Sequence, residues 1–320
     1  MDIPLTPDPF PTGAPIRVFQ VPYATKVWGF ARETGHKLVS ELTRDVGSVL
    51  IAVHGVGTDS VIEARVARHL AARCGLRAYM AFENRSSRWR GLRYLVPFHD
   101  SPLGLHARRG AYEAGILLSA VAEVCLRTGA APVLVAHSRG AYVLTRAAIL
   151  REGLAAVAFM EDADGFERVW ERVPGFMDVW RRLDEGSKRT LLASRSAIHA
   201  SDIVSVTACP AVPRQDPSWS YLARWSKNRI WNLYTRRDWF LFFVGNPDRG
   251  FIPFLGDRNV RLEFRHWEVS AHPLVQRVVA SLLRHGHLTK DVVEKLVDHY
   301  LGAPKMAAEM EVVSEADPHL

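Results

Sequence analysis

The residues best placed for chemistry lie in the pentapeptide Ala136-His137-Ser138-Arg139-Gly140. An apolar run rich in valine, residues 133–136, precedes the serine, and apolar residues recur at helical spacing over 142–150. This pattern predicts a buried strand, a sharp turn with Ser138 at its apex, and a helix. Such a turn strains the backbone of its serine, so only small residues fit two positions before and after it. The alanine and the glycine of the pentapeptide meet that requirement.

This arrangement resembles the nucleophile elbow of the α/β-hydrolases, with alanine where that family usually has its first glycine. A second motif is similar to the family's turn that supplies an amide to the oxyanion hole: an apolar run ends in His54-Gly55-Val56-Gly57. The resemblance implies that the backbone amides of Val56 and Arg139 bind the oxyanion. Glycines suit such a turn because a Cβ would keep the backbone away from the substrate oxygen. An ordinary strand-to-helix turn is the alternative interpretation of this second motif.

The catalytic acid that the resemblance implies is Asp238. Bulky residues over 230–234 predict a strand, and a polar turn that follows it ends in this aspartate, where the family keeps its acid. The alternative is a helix N-cap or a turn carboxylate neutralised by Arg236 and Arg237.

The family's histidine follows one further strand, and two histidines qualify by order along the chain. Residues 260–265 alternate at period two and predict that strand, and His266 and His272 both come after it. His272 lies in a loop just before an amphipathic helix that starts near Leu274, whereas His266 abuts the predicted strand. The resemblance therefore favours His272 as the base, with His266 as the alternative.

Together these residues predict a serine hydrolase that cleaves a carboxylic ester through an acyl-enzyme. His272 would take the proton of Ser138 and return it to the leaving group, while Asp238 would orient the imidazole and stabilise its cation. This chemistry needs no metal and no organic cofactor. Nine tryptophans, several of them between 219 and 239, favour an apolar acyl or aromatic pocket and hence a lipid or other acyl ester.

Two functions of other classes fit the same sequence. One is a hydrolase-fold protein without useful catalysis that acts as a binding or scaffold module. The other is a basic, tryptophan-bearing protein that binds nucleic acid or a membrane surface. The first predicts that a fluorophosphonate does not label Ser138, and the second predicts tight binding that collapses with salt.

Composition narrows these choices. The net charge of +7 comes mostly from arginines spread along the chain without a basic block, which argues against a nucleic-acid groove and mildly favours anionic partners such as acidic lipid surfaces. The three cysteines, Cys74, Cys125 and Cys209, lack metal-ligand spacing and are expected to be buried thiols. No secretory signal or membrane-spanning run is recognisable, so a cytoplasmic location is expected. Composition does not indicate an oligomeric state.

Strands and helices alternate at a cadence that predicts an α/β fold: a mostly parallel twisted sheet with helices on both faces. We expect one domain over 16–302, preceded by an extended leader over 1–15 and followed by a polar, disordered tail over 303–320. Residues 160–200 contain no convincing strand. They resemble the small helical cap that α/β-hydrolases commonly insert there, or form a surface helix pair packed on the sheet.

Overall fold

The structure is a computed structural model. It describes residues 17–21, 40–41, 43–55, 60–76, 78–82, 114–115, 118–119, 121–158, 173, 176–181, 203–227, 229–243, 250–266, 268–269 and 272–301.

Seven parallel strands form one sheet in the order β1-β3-β2-β4-β5-β6-β7. The strands are β1 (Arg17–Val21), β2 (Ser48–Val53), β3 (Ala78–Phe82), β4 (Ala131–His137), β5 (Val204–Ala208), β6 (Ile230–Tyr234) and β7 (Asn259–Arg261). The central strands β2 and β4 are almost continuously buried, as expected for parallel strands covered on both faces.

Helices pack on this sheet in two groups. The helices are α1 (Ser60–Cys74), α2 (Gly140–Ala158), α3 (Phe176–Trp180), α4 (Ser218–Trp225), α5 (Trp239–Phe243), α6 (Pro273–His285) and α7 (Lys290–Leu301). Helix α1 packs on α6, and α7 packs on α6, whereas α2 packs on α3 and α4. A 3-10 helix, Pro253–Arg258, precedes β7. The predicted α/β fold, a parallel sheet with helices on both faces, is confirmed.

Strand register brings the ends that carry the candidate residues to one edge of the sheet. Val53 pairs with Ala136, His137 pairs with Ala208, and Tyr234 pairs with Arg261. The residues that follow these strand ends therefore lie at the same edge of the sheet, where parallel α/β folds commonly build their sites.

The core is aliphatic where the sheet meets the helices. Leu50, Ile51 and Leu134 on the central strands are fully buried, as are Leu144 and Leu150 on α2. Glu123, in the helical run 121–127, is flanked by Arg127 and by the buried Arg151 of α2, so its charge is compensated.

Several sequence expectations lie outside the described residues. This group comprises the leader over 1–15, the tail over 303–320 and most of the segment 160–200. Within the expected cap, the structure describes Val173 and residues 176–181, which include the short helix α3. Among the described residues, no helix has both the length and the apolar composition that crossing a membrane requires.

Candidate active site

The turn after β4 has the strained geometry that the sequence predicts. Ser138 has φ 52°, a left-handed conformation that residues other than glycine rarely adopt. Its amide donates to the carbonyl of Ala208, and its own carbonyl accepts from Ala211. Because both partners follow or end β5, the neighbouring strand fixes the turn.

Close packing explains the small residues of this turn. A Cβ added to Gly140 would lie 2.2 Å from the carbonyl oxygen of Val53, a separation that no side chain tolerates. The first residue of α2 therefore lies directly against the end of β2. Ala136, two residues before the serine, is fully buried.

Ser138 belongs to a hydrogen-bonded chain of three buried side chains. Its Oγ lies 2.9 Å from Nε2 of His266, and Nδ1 of the same ring lies 2.6 Å from Oδ2 of Asp238. A carboxylate only accepts, so Nδ1 carries the proton that it donates to Asp238, and Nε2 is left to accept from the serine hydroxyl. The relative exposures are 1% for Ser138, 7% for His266 and 0% for Asp238.

Asp238 is held by the start of a helix as well as by His266. Its Oδ1 accepts from the amide of Leu241, so the carboxylate also caps α5. Arg237, which the sequence offered as a neutralising partner, instead pairs with Glu263 at 3.2 Å. Asp238 thus takes the N-cap position of α5 and lies beside His266 at the same time.

The histidine preference from the sequence needs correction: the structure places His266, and not His272, between Ser138 and Asp238. The ladder of β7 ends at Arg261, so His266 lies in a loop that can bend back over the sheet. His272 is the N-cap of α6, where its Nδ1 accepts from the amide of Leu274 at 3.2 Å.

Ring contacts fix the plane of the His266 imidazole. The centroid of the Phe240 ring lies 4.7 Å from it, and that of His137 lies 4.9 Å from it. Nε2 of His137 also lies 2.9 Å from the main-chain oxygen of His266. The His266 residue is therefore held at both its imidazole ring and its backbone.

His137 is a buried, neutral imidazole. Burial, and then the nearby His266 and His54, lower its pKa from 6.5 to about 3. Because a carbonyl only accepts, Nε2 of His137 carries the single ring proton and donates it to His266.

The loop expected to supply an oxyanion donor approaches the serine closely. A Cβ added to Gly55 would lie 2.8 Å from Cβ of Ser138. This contact places Gly55, two residues after β2, beside Ser138. Val56 itself lies outside the described residues. Arg139, buried and 4% exposed, stands one residue after Ser138 at the N-terminus of α2.

Cys209, at the carboxyl end of β5, is a further neighbour of the chain. Burial raises the pKa of its thiol well above 9.0, and the Asp238 carboxylate, to which the thiol is hydrogen-bonded, raises it further. The ligand atoms of Cys209, Asp238 and His266 lie within 4.8 Å of one another and form the one potential metal cluster among the described residues. A raised thiol pKa disfavours the thiolate that a metal ion would need.

Sequence reasoning missed His137, Cys209 and Phe240 as neighbours of the site. Phe240 follows the predicted acid by two residues, and this short spacing is a usable indication. The contacts of His137 and Cys209 join loops far apart in the chain, and no local pattern reports them.

Comparisons with known proteins show no family for this chain. No protein-family model and no curated protein sequence matches this chain. The chain is similar to a solved structure of esterase B from Lactobacillus rhamnosis, described as inhibited by a tributyrin phosphonate. The identity is 11% and the TM-score is 0.33, and the likeness covers 81% of this chain and 80% of the other. Values this low show neither a shared activity nor a shared substrate.

Proposed function

We propose that this protein is a serine hydrolase of the α/β-hydrolase type that cleaves a carboxylic ester through an acyl-enzyme. One observation carries the proposal: a serine in a strained turn, 2.9 Å from an imidazole whose other nitrogen lies 2.6 Å from a buried carboxylate. Such an arrangement is characteristic of an activated serine nucleophile. The proposed catalytic residues are Ser138, His266 and Asp238.

In the acylation step, Oγ of Ser138 attacks the ester carbonyl carbon while Nε2 of His266 takes the hydroxyl proton. The new C–O bond forms as the carbonyl π electrons move to oxygen, which gives a tetrahedral oxyanion. That intermediate collapses, the bond to the alcohol oxygen breaks, and His266 returns the proton to the departing alcohol. The acyl group is then attached to Ser138.

In the deacylation step, a water molecule replaces the alcohol. His266 takes a proton from the water as its oxygen attacks the acyl carbon, and the tetrahedral intermediate collapses to release the carboxylic acid. The proton returns to Oγ of Ser138. Throughout both steps, Asp238 holds the Nδ1–H of His266 and stabilises the imidazolium.

The oxyanion would be bound at the junction of α2 and the β2 loop. The proposed donors are the backbone amides of Arg139 and Val56. The N-terminus of α2 adds a favourable partial positive charge at the same place. Each such donor is worth roughly 3 kcal/mol of transition-state stabilisation in comparable sites. The close approach of Gly55 to Ser138 supports this location.

The proposed substrate class is an ester with an apolar acyl or aromatic group. Phe240 packs on the His266 ring, and the adjacent Trp239 is 57% exposed. An exposed tryptophan that directly follows Asp238 in the chain offers apolar contact area to such a group. We expect turnover of p-nitrophenyl esters to rise from acetyl to longer chains. A preference for acetyl would contradict this substrate class.

Labelling with a fluorophosphonate probe tests the reaction class. The probe should form one adduct, which peptide mass spectrometry should map to Ser138, and Ser138→Ala should abolish it. An unlabelled wild type, or a label that survives the substitution, would overturn the proposal. A catalytically silent binding protein of the same fold would give the first of these results.

A further inference from the structure

The residue before the proposed nucleophile makes an unusual long-range bond. His137 is 5% exposed, and its Nε2–H donates to the main-chain carbonyl of His266 at 2.9 Å, across 129 residues of sequence. The rings of the two histidines are also in contact, with centroids 4.9 Å apart and their planes tilted by 42°. His137 thus contacts both the backbone and the imidazole of His266.

The loop that carries His266 needs such an anchor because of the sheet order. Two strands, β5 and β6, separate β4 from β7, so the loop must reach back over both of them to meet Ser138. The start of this loop is held at buried Leu262, whose amide donates to the carbonyl of Tyr234 on β6. Beyond the exposed Arg265, the His137 bond satisfies the carbonyl of His266, and an unpaired buried carbonyl would be costly.

The second ring nitrogen of His137, Nδ1, does not explain why a histidine occupies position 137. Its Nδ1 carries no proton and has no hydrogen-bond partner among the described residues. The titratable groups that act on this ring are His54 and His266. The bond from Nε2–H is therefore the polar contact through which His137 acts.

We propose that His137 is a positioning residue that holds the loop of His266, so that its imidazole lies between Ser138 and Asp238. The inference rests on the proposed function for its kinetic consequences. In this role His137 neither forms nor breaks a bond in the reaction; it sets the position of His266, which transfers the proton. A displacement of about 1 Å at a reacting group costs roughly 100-fold in rate.

Two substitutions of His137 by an amide side chain distinguish the effect of its hydrogen bond from the effect of its side-chain volume. In His137→Gln the side-chain NH₂ reaches about the position of Nε2 and can donate to the carbonyl. In His137→Asn the same group is one methylene short. We expect His137→Gln to be labelled by the fluorophosphonate within about fivefold of the wild-type rate, and His137→Asn to be about 100-fold slower. With p-nitrophenyl butyrate, kcat should fall while KM stays unchanged.

Equal labelling of both variants, fast or slow, would overturn the inference. Thermal unfolding of each variant checks the fold, and His137→Leu, which lacks any donor, replaces His137→Asn if that variant does not fold. A second readout needs no activity: the Nδ1–H of His266 should give a low-field proton resonance in the wild type and in His137→Gln, and lose it in His137→Asn. A resonance that persists in all three proteins would also contradict the inference. An unlabelled wild type with the expected resonances would remove the proposed function and leave the positioning role.

Discussion

Two histidines six residues apart follow β7, and the structure gives them different surroundings. In His266, Nδ1 faces the side-chain carboxylate of Asp238 and Nε2 faces the side-chain hydroxyl of Ser138. In His272, Nδ1 accepts a hydrogen bond from the backbone amide of Leu274. The ring of His272 packs against Phe264 and His299 at centroid distances of 4.3 Å and 5.6 Å. The role of a histidine is thus set by what its nitrogens meet, and not by its distance from the last strand.

The carboxylates beside the two histidines offer the largest contrast. Asp238→Asn should lower kcat about 10,000-fold with little effect on folding, because an amide at this position disfavours the required tautomer. Glu268→Gln is the matched control, since the charge of Glu268 acts on His272. Ester turnover of the control should stay within twofold of wild type. A comparable loss of kcat in Asp238→Asn and Glu268→Gln would contradict the different roles given to the two carboxylates.

The aromatic neighbours of the two histidines give a smaller contrast, in which one substitution should affect stability and the other should affect activity. Phe264 is 3% exposed and packs on His272, so Phe264→Ala should lower the free energy of unfolding by about 3 kcal/mol. Activity per folded molecule should change little. Phe240→Ala should do the reverse: the loss of an aromatic pair worth ~1 kcal/mol should cost about fivefold in kcat. Denaturant unfolding and ester turnover should be measured on both variants. The same change in stability and in kcat in both variants would contradict the prediction.

The dependence of stability on pH gives a further contrast, between His137 and His272. The folded-state pKa of His137 is lowered from 6.5 to about 3, so the fold favours its neutral form. This stabilisation is complete above pH 6.5 and is lost as the pH falls toward 3, at roughly 1.4 kcal/mol per pH unit. Burial, and then His299, lower the pKa of His272 as well, in the same sense.

The free energy of unfolding, measured from pH 7 to pH 4 in His137→Gln and His272→Gln, tests this difference. The slope should flatten clearly in the first variant and only slightly in the second. A slope that is unchanged in His137→Gln would show that His137 titrates normally in the folded protein.

Most of the fold could be predicted from sequence because buried parallel strands form continuous apolar runs. Strands β2, β4 and β6 and helices α1, α6 and α7 follow directly from such runs and from helical periodicity. The turn at Ser138 was equally predictable, since its small neighbours answer a steric need. The placement of Asp238 at the end of β6 also follows from the chain alone.

The preference for His272 over His266 in the sequence analysis has a physical cause. Period-two apolar residues continue to Phe264, yet the ladder of β7 ends at Arg261. Leu262 and Phe264 are buried in the loop beyond it, so the alternation reports burial and not strand pairing. A strand assumed to run to Arg265 leaves His266 no freedom to bend back over the sheet. The bond from His137 that holds this loop is visible only in three dimensions.

Parallel labelling of His266→Gln and His272→Gln tests the central claim most directly. Both variants keep Ser138, and the rate of its modification by a fluorophosphonate reports whether the base is present. We expect His266→Gln to lose the reaction by at least about 10,000-fold, and His272→Gln to react within twofold of wild type. Full reactivity in His266→Gln, with loss in His272→Gln, would contradict the account.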